Sequence, residues 1–224
     1  MNQYTIVKNE YLNKDIKAFY RCEYYGLNKP GNPNYLNILK NTFGNEYASK
    51  LLAAKDSVKF NLANELSSIL SNIEDDEVTI CVVPRSKKLN TYNGTQLKFT
   101  EAIRETIPLV THSKNKLVDG SDFIVRHTDT LTTHLRNTSY AGGGNAPYQG
   151  ITRDTCNISG RVRGRHVLLI DDIYTKNVNI DEDAIQCLLD YGAKDVTFFS
   201  IARVPHYTFQ DDLPDEIVFA TKRH

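Results

Sequence analysis

The chain has 224 residues, with 27 basic side chains against 27 acidic ones. That length suits one sizeable domain with a small lobe added. The balanced charge excludes a net field of the kind that advertises nucleic acid, leaving only local patches, and no apolar stretch approaches the roughly 20 residues of a membrane span.

Residues 1–33 are rich in Tyr and Asn and end in a turn-forming Gly-Leu-Asn-Lys-Pro-Gly-Asn-Pro. The opening Met-Asn-Gln-Tyr lacks the basic start and apolar core of a signal peptide. Strand-like runs at 4–7 and 19–25 predict a small β lobe or edge hairpin. Between 35 and 73 two helical patterns follow. Leu36, Leu39, Phe43, Tyr47 and Leu51 fall at spacings of three or four, and a second helix is expected from Asp56 through Phe60, Leu62, Ala63, Leu66, Ile69 and Leu70. The acidic step at 74–77 closes an expected N-terminal β/helical lobe or hood, residues 1–77. From Val78 the pattern alternates strand and helix, as a parallel α/β sheet flanked by helices requires, and this core is expected to reach residue 206. Its first helix is predicted over 95–106, with Phe99 and Ile103 inward. Residues 139–150 hold three consecutive glycines without periodicity and predict a mobile loop. A tail, 207–224, includes an expected edge strand at 217–220. Cys22, Cys81, Cys156 and Cys187 lie far apart with no Cys-x-x-Cys pair, which points to free thiols in a reducing cytoplasm rather than zinc or disulfides.

Function is concentrated in residues 166–180, His-Val-Leu-Leu-Ile-Asp-Asp-Ile-Tyr-Thr-Lys-Asn-Val-Asn-Ile. Val167, Leu168, Leu169 and Ile170 form an apolar run suited to a parallel strand covered on both faces. It ends in Asp171 and Asp172, followed by a short polar loop and a helix-like stretch over 181–189. Two acceptors and a set of loop N–H donors therefore fall at the carboxyl end of a sheet, where open α/β folds bind ligands. A sugar phosphate suits them, with carboxylates for ribose hydroxyls and N–H groups with the helix start for phosphate.

This segment resembles the signature of type I phosphoribosyltransferases, enzymes that use phosphoribosyl pyrophosphate (PRPP), and in particular their ComF-like, competence-associated branch. The resemblance covers residues 78–204. Residues 78–87 (VTICVVPRSK) are similar to that branch's strand and pyrophosphate loop, and 126–137 (RHTDTLTTHLRN) to its Arg- and Thr-bearing segment. It implies a type I phosphoribosyltransferase-like open parallel sheet flanked by helices. It also implies that Asp171 and Asp172 are the catalytic acids, accepting ribose hydroxyls and holding Mg²⁺ through water. The backbone of Thr175, Lys176, Asn177, Val178 and Asn179 would take the 5-phosphate. Arg85, Ser86 and Lys87 would meet pyrophosphate, and Arg126, His134 and Arg136 would reach the ligand from a closing loop. The family loop is altered here: its usual glycine is Asn177 and its last hydroxyl residue is Asn179. Asn tolerates a left-handed backbone, so Asn177 is expected to hold the turn and Asn179 to cap the next helix. The cysteine-rich zinc element of many ComF-like proteins is missing.

Arg153, Arg161, Arg163, Arg165 and His166 form a basic series that either tracks a nucleic-acid backbone or faces water. The six histidines lack the paired spacing of a transition-metal site, and no Ser-x-x-Lys or Gly-x-Ser-x-Gly element serves acyl chemistry. Three functions stay open, and with them whether the chain is an enzyme. The first is a phosphoribosyltransferase-like protein binding PRPP, a related ribose phosphate or a nucleotide. The second is a non-catalytic nucleotide- or nucleic-acid-binding subunit or regulator in a DNA-linked protein complex or homo-oligomer. The third is a nucleotide- or NAD-cleaving effector of a defence or toxin system, as in phage defence.

Overall fold

Residues 167–170 and 196–202 are buried at every position, so each strand needs apolar cover above and below. The computed structural model, which describes residues 1–26, 29–110, 115–130 and 151–205, supplies it with a layered α/β arrangement. The chain runs β1 (Asn2–Ile6), β2 (Ile16–Glu23), α1 (Asn34–Lys40), α2 (Ala48–Leu70), β3 (Glu77–Val82), α3 (Lys98–Thr106), β4 (Lys116–Asp119) and β5 (Ile124–Arg126). It continues through α4 (Ile151–Thr155), β6 (Cys156–Ile158), β7 (His166–Tyr174), α5 (Ile180–Asp190) and β8 (Asp195–Arg203). Six strands form one sheet in the order β1-β2-β8-β7-β3-β4. Every pairing in it is parallel except β1 with β2. β5 and β6 make a separate antiparallel pair. This is the mixed, mainly parallel sheet flanked by helices that the sequence pattern led us to expect.

Strand alternation divides the core in two. On one face Leu168, Ile170, Phe199 and Ile201 pack with Leu36 and Leu39 of α1, Val58, Leu62 and Leu66 of α2, and Ile103 of α3. On the other, Val167, Leu169 and Phe198 pack with Ile185 and Leu188 of α5, Phe123, and Ile16 and Ala18 of β2. Residues 1–77 belong to this same sheet and core: β2 pairs with β8 in the register Ala18↔Phe198, and the boundary expected after residue 77 falls within β3. The 207–224 tail and the glycine-rich 139–150 lie outside the described residues. Among the described residues, no helix is long and apolar enough to cross a membrane.

Two helix boundaries differ from expectation. The pattern through Phe43, Tyr47 and Leu51 is not one helix. α1 stops at Lys40, where Asn41 turns left-handed (φ 33°) and returns its N–H to the Ile38 carbonyl. The Asn41 side chain is then tied to Thr95, Nδ2 to Oγ1 at 3.1 Å. Phe43 and Tyr47 are 69% and 72% exposed, since three-four spacing alone does not say where a left-handed Asn ends the helix. α2 consequently begins at Ala48 rather than near Asp56, and Phe60 of the expected helical run is exposed. α3 begins at Lys98, three residues after the expected start.

Beyond β4, Gly120 sits where a Cβ would come within 2.7 Å of Thr79 Cγ2 and 3.1 Å of Cys81 Sγ, both on β3. Gly120→Ala should therefore destabilise the fold by about 1–3 kcal/mol, measured by urea unfolding. An unchanged midpoint would mean that this approach is looser than described.

Candidate functional site

β7 lies between β8 and β3, and its carboxyl end carries Asp171 and Asp172 while still in strand conformation. The two acids have different partners, at a point where β7 departs from strict alternation: Ile173 lies on the face of Ile170 and Tyr174 on that of Leu169. Asp171 turns toward the N-terminus of α5 and lies in hydrogen-bonding contact with Asp181. Asp172 turns toward the end of α1, where Lys40 Nζ is 3.7 Å from its Oδ2.

The loop after β7 also departs from expectation. Thr175 is extended, Lys176–Val178 form a single 3₁₀ turn, and the positive φ falls on Asn179 (56°) rather than on Asn177. The Val178 N–H donates to the Thr175 carbonyl at 3.1 Å. Asn179 occupies the N-cap position of α5 but makes no side-chain capping bond. Its Oδ1 instead accepts from Asn9 Nδ2 at 3.1 Å, so the segment after β1 is tethered to this loop. The expected cap is replaced by a long-range contact because a left-handed backbone at the cap replaces the extended one that normally aims the side chain at the first turn.

The start of α5 already has negative groups of its own. Asp181, Glu182 and Asp183 fill its first turn and all are buried, where the helix dipole favours them. Asp183 Oδ2 accepts the Thr152 N–H at 2.6 Å, and Glu182 Oε1 accepts from the Tyr174 hydroxyl at 2.6 Å. Burial, then the neighbouring Asp172 charge, pushes the Asp171 carboxyl up to about 7. Burial and the Asp171 charge hold Asp181 well above the usual carboxylate range, and burial raises Glu182. Two facing carboxyls in hydrogen-bonding contact need a proton between them.

The loop after β3 is braced rather than open. Arg85 donates from Nη1 to the Gln96 carbonyl at 2.8 Å and from Nη2 to the Lys40 carbonyl at 2.5 Å, and its guanidinium lies over the Tyr92 ring. The Ser86 carbonyl accepts from the Thr130 N–H at 2.8 Å, and Lys87 Nζ donates to the Thr130 carbonyl at 3.0 Å. Arg126 is 5% exposed, with Nε on the Arg85 carbonyl and Nη1 on Thr155 Oγ1, both at 2.6 Å. Arg85 and Arg126 thus hold the loop after β3 against the end of α1 and against β5. His134 and Arg136 lie outside the described residues. In the basic series, Arg153 pairs with Asp190, Arg165 with Glu77, and Arg161 stacks on Phe123. His166 bridges Asp75 and Thr197, with ring nitrogens 2.8 and 2.9 Å from their oxygens. Lys40 was missed by sequence reasoning, because a lysine closing a short helix carries no local sign of what it faces.

The Mg²⁺ implied by the resemblance does not fit this donor set as two neighbouring carboxylates would. Asp171 and Asp172 open to opposite sides, and each already faces another charged or titratable group. Among the described residues, no group of three or more His, Cys, Asp or Glu side chains is arranged to hold a metal ion.

The fold is that of an α/β protein with a charged edge at the carboxyl ends of parallel strands. No family model and no curated protein matches the chain. Among solved structures it is similar to a hypoxanthine-guanine phosphoribosyltransferase of Bacillus anthracis, with 11% identity and a TM-score of 0.38 over 69% of this chain and 73% of that one. It is also similar to a hypoxanthine phosphoribosyltransferase of Staphylococcus aureus, with 9% identity and a TM-score of 0.33 over 69% and 77%. Neither neighbour bears on the competence-associated branch.

The Asp171–Asp181 contact has a pH signature. The folded Asp171 value of about 7 lies above the ordinary 3.8, so the folded state binds the proton more tightly than the unfolded chain. Its contribution is complete at low pH and is lost as pH rises from about 4 through about 7. Burial and the Asp172 charge raise Asp171, and Asp181 is a second buried carboxyl held high. Asp181→Asn removes that second group, so it should flatten the decline and gain stability over wild type at pH 8. Urea midpoints at pH 4.5, 6 and 8 measure it, and parallel profiles for the two proteins would contradict the assignment.

Proposed function

We propose that this chain binds a ribose phosphate or nucleotide at the carboxyl edge of its sheet, in the manner of a phosphoribosyltransferase. The observation that carries the reading is the Asp172–Lys40 pair, an anion and a cation side by side at the end of the central parallel strand. Open α/β sheets bind ligands at that place. Asp172 would accept hydrogen bonds from the ribose hydroxyls. The backbone N–H groups of 175–179 and Lys176 would take the 5-phosphate on the side of the loop away from the carboxyls of α5. Lys87, between this edge and the segment after β5, would lie toward a pyrophosphate or base.

A non-catalytic binding role has a specific observation in its favour. Asp171 is turned to Asp181, and the guanidiniums of Arg85 and Arg126 are occupied by carbonyl and hydroxyl acceptors. A transferase needs those charges on a leaving pyrophosphate. Binding is therefore the primary activity in this reading, and transfer of the ribosyl group is the narrower claim.

Calorimetry with PRPP, ribose 5-phosphate and AMP tests both. Wild-type protein should bind at least one of them, and Asp172→Asn should weaken that binding about tenfold or more, the equivalent of about 1.4 kcal/mol. Equal binding by the variant, or none by the wild type, would remove the reading. Pyrophosphate release from PRPP over a panel of bases would separate a transferase from a binding subunit.

A further inference from the structure

We propose that Lys40 supplies the cation of this site, so that a ribose phosphate binds beside Asp172 without a divalent metal. The inference rests on the ribose-phosphate reading above and deepens it, giving Lys40 of the Asp172–Lys40 pair the work of the metal.

Three observations place Lys40 in that role. Its ammonium stands 3.7 Å from Asp172 Oδ2, with the two side chains 20% and 29% exposed, so the pair is sheltered yet open to a ligand. The end of α1 that carries it is fastened down. Arg85 donates to the Lys40 and Leu39 carbonyls, Asn41 closes the helix on the Ile38 carbonyl, and Gln96 Nε2 donates to the Asn41 carbonyl at 3.2 Å. A cation there also meets the negative end of the helix dipole. The acids, finally, are poorly disposed for a metal. Mg²⁺ wants near-octahedral oxygen ligands at about 2.0–2.1 Å, whereas Asp171 faces Asp181 across the strand and leaves Asp172 alone. A divalent ion on Asp172 would also lie against the Lys40 ammonium and be repelled by it.

An ammonium is a compact point charge with three donors. It can stay on the Asp172 carboxylate and reach a phosphate oxygen at once, provided the ligand lies across the two. Arg85 then becomes a positioning residue, setting where Lys40 stands without touching the ligand.

The experiment is calorimetry with PRPP and with ribose 5-phosphate, each in EDTA and in saturating Mg²⁺. Wild-type affinity should differ by less than about threefold between the two buffers. Lys40→Met should weaken binding in EDTA by about tenfold or more and recover part of the loss in Mg²⁺, while Lys40→Arg stays within about threefold of wild type. Binding that appears only with Mg²⁺ would overturn the Lys40 assignment and leave the ribose-phosphate reading standing, as would a Lys40→Met protein that binds like wild type in EDTA. Absence of wild-type binding in both buffers would overturn both.

Discussion

Asp171 and Asp172 are neighbours in sequence but have different partners, and this division organises the carboxyl end of β7. β7 stays beside β8 as far as Tyr174 and Arg203, but the register skips Asp172, and beyond it Ile173 lies on the face of Ile170 and Tyr174 on that of Leu169. Covered on both faces, it has helices waiting on either side of the sheet. Asp171 is delivered to the α5 face and Asp172 to the α1 face. Adjacent acids thus have different partners, one a carboxyl and the other an ammonium.

On the α5 face the consequence is a concentration of carboxyls. Asp171, Asp181, Glu182 and Asp183 gather at a helix start whose dipole would otherwise recruit a phosphate. The same dipole lets several of them be buried, and hydrogen bonds from Tyr174 and Thr152 satisfy part of the set. Among the described residues, Asp181 Oδ1 and Glu182 Oε2 have no hydrogen-bond partner. Buried oxygens of that kind raise carboxyl affinities for protons, so this face stores protons more readily than it accepts an anion.

On the α1 face the organisation is mechanical. Arg85, Arg126 and Gln96 spend their donors on backbone carbonyls, stitching the end of α1 and the loop after β3 to the β5 segment. Guanidiniums used this way lose their freedom to follow a ligand but give Lys40 a defined position. The ordering entropy of this support is settled when the chain folds.

The local apolar pattern was enough to reveal β3, β7 and β8, the α/β order, and the placing of Asp171 and Asp172 at a carboxyl edge. Each depends on residues close together in sequence, whose burial requirement is written in their own periodicity. It did not reveal that α1 ends at a left-handed Asn41, that the left-handed residue of the β7 loop is Asn179, or that β2 joins β8. Nor could it separate Arg85 the strut from Arg85 the phosphate contact, since a guanidinium reads alike in both. The chain alone determined that two acids end a central strand. Only the tertiary structure decided that they part company, and that Lys40 and Asp181 are what they meet, because those partners come from helices contributed by distant stretches of the chain.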